Sequence, residues 1–88
     1  MTWTREKVRS EIHALLAEHA ERGTTIADAS GLVADLGLDS LGVMEILAEI
    51  EDKFALQVPD ETLRDVETVG DVVAEIQKHL ESEGRLSG

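Results

Sequence analysis

Ser40-Leu-Gly-Val-Met-Glu-Ile-Leu-Ala-Glu-Ile-Glu-Asp-Lys-Phe54 contains no proline, and its single glycine, Gly42, falls in the first turn. The remainder is rich in Leu, Glu, Ala, Met and Ile, all compatible with a helix. On a helical wheel Val43, Ile46, Leu47, Ile50 and Phe54 gather within an arc of about 100°, the width of a core-facing stripe. Leu41, Met44 and Ala48 gather on the opposite side, among Glu45, Glu51 and Asp52. Leu41 could tuck under the preceding loop, with Met44 one of the scattered apolar residues that any surface carries. Alternatively the strip is a docking surface, with apolar anchors inside an acidic rim that steers a basic partner. The distribution of charge favours the second.

Working outward, Val8, Ile12, Leu15 and Leu16 form one stripe of an earlier helix from about Thr4 to Glu21, with Thr4 as N-cap and Gly23 as terminator. Between Gly23 and Leu38 the pattern breaks up into a long loop, pinned to the core by Ile26, Leu32, Val33, Leu36 and Leu38, with room for one short helical turn. On the C-terminal side Gln57-Val-Pro-Asp60 ends the central helix, and Asp60-Glu-Thr-Leu63 fits a single helical turn capped by Asp60. Thr68-Val-Gly-Asp71 resembles a capping box with Asp in place of Glu, and it opens a last helix whose Val69, Val72, Val73, Ile76 and Leu80 share a face. No stretch alternates long enough for a strand, and the tail from Glu83 to Gly88 is expected to fray. The expected architecture is all-α, three main helices plus a short one. It forms one domain over residues 1–88 with its core at about 4–82.

A chain of 88 residues buries only about 60% of its unfolded surface, too little for a deep catalytic cleft. The absence of cysteine removes disulfides, thiolate metal sites and thiol nucleophiles. No segment approaches a membrane span, and the N-terminus lacks a secretory pattern, so a soluble cytoplasmic protein is expected. The net charge is -11, which disfavours nucleic acid and anionic membranes and favours basic partners. Residues 28–61 carry nine acidic side chains against Lys53 alone, so most of the field comes from the middle third. Trp3 and Phe54 are the only aromatics, which excludes a stacking platform for bases.

Ser40 admits three roles. Either it or Asp39 could cap the central helix. A hydrolase nucleophile would need a base and an oxyanion hole, but the context is Leu-Asp-Ser-Leu-Gly, and His13, His19 and His79 lie in no triad-like setting. The third role is modification, because a phosphate on a hydroxyl at a helix N-terminus sits beside free N–H groups and the positive end of the dipole. Other chemistry is thin. The acidic spacing from Asp28 to Asp39 fails as a calcium loop, since Val33 stands where glycine is needed and Leu32 at a ligand position, and the histidines lack companions for a metal.

Asp35-Leu-Gly-Leu-Asp-Ser-Leu41, followed by Glu45-Ile-Leu47, Ile50-Glu-Asp-Lys-Phe54 and Val58-Pro-Asp60, resembles the acyl carrier proteins over about Val8 to Leu80. The resemblance implies a small four-helix bundle and a non-catalytic role. It also implies 4′-phosphopantetheine attached to Ser40 by a phosphopantetheinyl transferase that uses Mg²⁺ and coenzyme A. Asp39 and Leu41 would flank the arm. Met44, Glu45, Ala48, Glu51 and Asp52 on the central helix, with Val66 near the last one, would meet partner enzymes: an acyltransferase, a ketosynthase or an acyl-activating ligase. Gly42 departs from the polar or acidic residue that many fatty-acid carriers have there. The expected protein is a freestanding monomer, more of polyketide type than of housekeeping fatty-acid synthesis. The alternatives are an aminoacyl, peptidyl or D-alanyl carrier, or an unmodified acidic adaptor in which Ser40 is only a cap. An enzyme ranks below these.

Overall fold

A computed structural model describes residues 2–20, 23–63 and 65–87. In chain order the elements are β1 (Trp3–Thr4), α1 (Arg5–His19), α2 (Ser40–Phe54), α3 (Asp60–Leu63), α4 (Val69–Ser82) and β2 (Leu86–Ser87). The all-α expectation of three main helices and one short one is met, with an addition at the chain ends.

The three long helices start where side chains satisfy orphan N–H groups. Thr4 Oγ1 accepts from Lys7 N at 3.1 Å to begin α1. Thr68 Oγ1 accepts from Asp71 N at 3.2 Å, while Asp71 Oδ2 accepts from Thr68 N at 3.0 Å. This is the reciprocal capping box anticipated from the sequence, and it opens α4. The turn of α3 begins at Asp60 itself, so Asp60 is its first helical residue and not the cap before it.

Each long helix buries its apolar stripe in a common core: Val8, Ile12, Leu15 and Leu16 from α1; Ile46, Leu47, Ile50 and Phe54 from α2; Val69, Val73, Ile76 and Leu80 from α4. Val43 and Val72 are half-buried at its margin. α1 lies against both α2 and α4. Leu32, Leu36 and Leu38 close the core from the first loop, and Leu56 and Val58 from the second.

The differences from expectation have local causes. α1 ends at His19, with Ala20 in an extended conformation; Glu21, the expected end, lies outside the described residues. The first loop contains a helical turn in which the Asp35 and Leu36 N–H groups return to Gly31 O at 3.0 and 3.1 Å. This turn directs Leu32 and Leu36 inward but Val33 outward, so Val33, expected in the core, is 68% exposed. From Glu83 to Ser87 the C-terminal segment is held in place and not frayed as expected, while Gly88 lies outside the described residues. Gly84 reverses the chain at φ +70°, and Leu86–Ser87 pairs in parallel with Trp3–Thr4. Trp3 N donates to Arg85 O at 2.8 Å. Two residues per strand fall below what alternation in a sequence can reveal.

Candidate functional site

Leu38 is buried and anchors the approach to α2. The next residue, Asp39, adopts an extended conformation (φ -92°, ψ -179°), and its Oδ1 accepts the Gly42 N–H at 2.7 Å. Asp39 O accepts Val43 N at 3.0 Å as the first rung of the helix. Asp39 is therefore the cap and Ser40 the first helical residue. Ser40 is exposed, and its hydroxyl has no hydrogen-bond partner among the described residues. Gly42 fits this arrangement, because a Cβ there would lie 3.3 Å from Asp39 Oδ1 and 3.5 Å from Leu38 Cδ2.

Ser40 stands on the rim of a groove of about 580 Å³. Val33 of the first loop forms one wall and Val43 and Met44 of α2 the other, with Val66 and Thr68 completing the lining. A void of about 20 Å³ lies further inside, sharing Leu32, Val43 and Val66 with the groove. The first loop is tied by backbone bonds to the segment that leads into α4. Leu32 N donates to Glu67 O at 2.9 Å, Val69 N to Ser30 O at 2.9 Å, and Gly70 N to Asp28 O at 2.8 Å. The last approach needs glycine, since a Cβ on Gly70 would come within 3.0 Å of Asp28 O.

Charged contacts hold the same frame. His13 Nε2 lies 2.9 Å from an Asp28 carboxylate oxygen, and Arg9 Nε donates to the carboxylate at 3.1 Å. These contacts, His13 first and Arg9 second, hold the Asp28 carboxyl below its ordinary value. Asp71 is also lowered, by the N–H groups of Glu67 and Thr68.

Leu41 and Met44 are 67% and 44% exposed, and with Val33 they are the exposed large apolar residues among those described. All three flank Ser40 or its groove. Leu41 therefore does not tuck under the loop. Ala48, Glu45 and Asp52 are also exposed, and neither Glu45 nor Asp52 has an ion-pair partner among the described residues. Glu51 differs: it is half-buried, and its Oε2 accepts Val58 N at 2.9 Å, bracing the loop after α2. Val66 is half-buried between groove and void and precedes α4 by a short loop. Sequence reasoning missed Val33 here, although the spacing of Leu32 and Leu36 in one helical turn could have pointed Val33 outward.

An acidic helical bundle with an unengaged serine at a helix start, beside an apolar groove, has the form of a carrier to which a group is attached. Comparison with known proteins agrees. The family model for the phosphopantetheine attachment site matches residues 6–76. An acyl carrier protein of Rhodococcus erythropolis is 43% identical over 86 residues, covering 96% of this chain and 92% of that protein. A meromycolate extension acyl carrier protein of Mycolicibacterium smegmatis is 46% identical over 80 residues, covering 85% of this chain and 80% of that protein. The solved structure of a candidate acyl carrier protein from Mycobacterium tuberculosis superimposes with a TM-score of 0.73 at 29% identity, covering 78% of this chain and 93% of that one. The chain belongs to the phosphopantetheine-binding acyl carrier family. Its cofactor is 4′-phosphopantetheine, and its dealings are with a phosphopantetheinyl transferase and acyl-processing enzymes. No helix among the described residues is long and apolar enough to cross a membrane.

Proposed function

We propose that Ser40 is the attachment point, and that the protein is a non-catalytic, monomeric, cytoplasmic carrier of acyl groups in fatty-acyl extension. The observation that carries the assignment of Ser40 is its free, exposed hydroxyl beside the groove, with the capping duty taken by Asp39. In loading, Ser40 Oγ displaces 3′,5′-adenosine diphosphate from coenzyme A, forming the phosphodiester as its own proton passes to the transferase. The bound arm supplies the thiol that this cysteine-free chain lacks, and acyl groups are held on it as thioesters. Ser40 presents the arm at the N-terminus of α2, where the helix dipole favours the phosphate.

Leu41, Met44, Ala48, Glu45 and Asp52 form the face offered to partner enzymes, extended by Val66 in the groove. Glu51 is assigned to the fold more than to that face, since its carboxylate already serves Val58 N. Several relatives are named for meromycolate extension, which favours long-chain acyl extension over the polyketide-type role expected from sequence and disfavours an aminoacyl cargo. The test is intact-mass analysis of the phosphopantetheinylated protein after incubation with long-chain acyl and aminoacyl donors and their activating ligases. Acylation from the first alone supports the assignment, and aminoacylation alone would overturn it.

A further inference from the structure

The polar side-chain contacts of α2 are unevenly distributed, although apolar residues of both halves, Ile46 and Leu47 as well as Ile50 and Phe54, reach the core. Along its C-terminal half Glu49 pairs with His19 of α1, Lys53 Nζ lies 2.8 Å from Glu11, and Glu51 braces the following loop. The end of the helix is then gripped by both chain termini. Phe54 packs against Trp3, ring centroids 4.5 Å apart at a tilt of 52°. The Arg85 guanidinium donates to Phe54 O and, at 3.0 Å, to Ala55 O. Carbonyls at the C-terminus of a helix have no partner within the helix, and a cation there opposes the negative end of the dipole. Arg85 meets both needs.

Its grip is itself supported. Trp3 N bonds Arg85 O, Arg85 N bonds Leu80 O at 2.8 Å, and the β1–β2 pair joins the two ends. Arg5 pairs with Glu81 at 2.9 Å, and Gln77 Nε2 donates to Arg5 O at 3.0 Å. At the other end of α2 the Asp39 cap is the one side-chain hydrogen bond that residues 39–47 make among the described residues. That half of the helix borders both the groove and the void.

We propose that the joined chain termini form a strap that anchors α2 at its C-terminal end, so that the helix loosens from the Ser40 end. Helices ordinarily fray at both ends; this one opens at the functional end alone. On the carrier reading, such one-ended loosening widens the groove next to the attachment point while the far end stays closed.

Amide hydrogen exchange on the unloaded 88-residue chain tests the strap with no cargo present, so failure to load Ser40 would leave this result unaffected. The expected wild-type result is slower exchange at Ile50–Phe54 than at Met44–Leu47. Arg85→Met keeps much of the apolar stem and removes the donors. It is expected to speed exchange at Ile50–Phe54 by about tenfold, the loss of roughly one net hydrogen bond, with little change at Met44–Leu47. Emission from Trp3, the single tryptophan, should shift towards that of a hydrated indole in the same variant. Equal protection along α2 in the wild type would overturn the proposal. So would an Arg85→Met effect spread evenly over the helix.

Discussion

The Asp39 carboxylate accepts the Gly42 N–H at 2.7 Å, spanning Ser40 and leaving its hydroxyl outside the cap. Loss of a capping carboxylate typically costs about 1 kcal/mol. Asp39→Ala should therefore lower unfolding stability by roughly that amount, whereas Ser40→Ala should change it by less than about 0.5 kcal/mol, as expected for a surface position. Urea denaturation of both variants separates them. A larger loss for Ser40→Ala would make the serine the cap.

The acidic side chains of α2 divide by what they touch. Glu45 and Asp52 are exposed without ion-pair partners among the described residues, while Glu51 holds Val58 N at 2.9 Å. Glu45→Lys with Asp52→Lys should slow loading by a transferase and flatten its salt dependence, since steering is screened over about 8 Å at physiological ionic strength. Their fold should persist by circular dichroism. Glu51→Ala should instead reduce stability by about 1–3 kcal/mol, the cost of a buried N–H left without its acceptor, with Glu51→Gln recovering part of the loss.

Ala55 sits in the left-handed region at φ 52°, where a Cβ is disfavoured and glycine is not. Ala55→Gly should stabilise the protein by about 0.5–1 kcal/mol, read as a higher denaturation midpoint with an unchanged slope. A loss of stability would mean that the αL geometry at this end of α2 is absent in solution.

Asp71 is lowered by the Glu67 and Thr68 N–H groups, and Asp28 by His13 and then Arg9. A carboxyl whose folded value lies below its unfolded one, about 3.9 for Asp, stabilises the fold above that unfolded value. The contribution is lost as pH falls through the folded value. The stability gap between wild type and Asp71→Asn should therefore be full at pH 7 and close below about pH 4. Chemical denaturation of the pair across that range measures it, and a gap independent of pH would remove the carboxylate from the account.

Much of this molecule was legible in its sequence, for reasons tied to particular residues. The stripes of α1, α2 and α4 are long enough for periodicity to speak, and the Thr68–Asp71 box announced its helix. Leu41 and Met44 were separable from the core because α2 carries apolar residues on two faces. Other features depend on contacts between distant parts of the chain. Nothing in Arg85 or Trp3 alone foretells that they meet at Phe54, and the strands they bring together are too short to pattern. Hydrophobicity alone places Val33 in the core, whereas the turn that closes on Gly31 O points it outward. Glu51 looked like its acidic neighbours until the following loop came back to it.

The most direct test of the central claim is the intact mass of the purified, unmodified protein before and after incubation with coenzyme A, Mg²⁺ and a promiscuous phosphopantetheinyl transferase, with Ser40→Ala alongside. The expected result is a gain of one phosphopantetheinyl group on the wild type and none on the variant. A folded wild type that gains nothing, or a variant that gains the group, would contradict the assignment of Ser40.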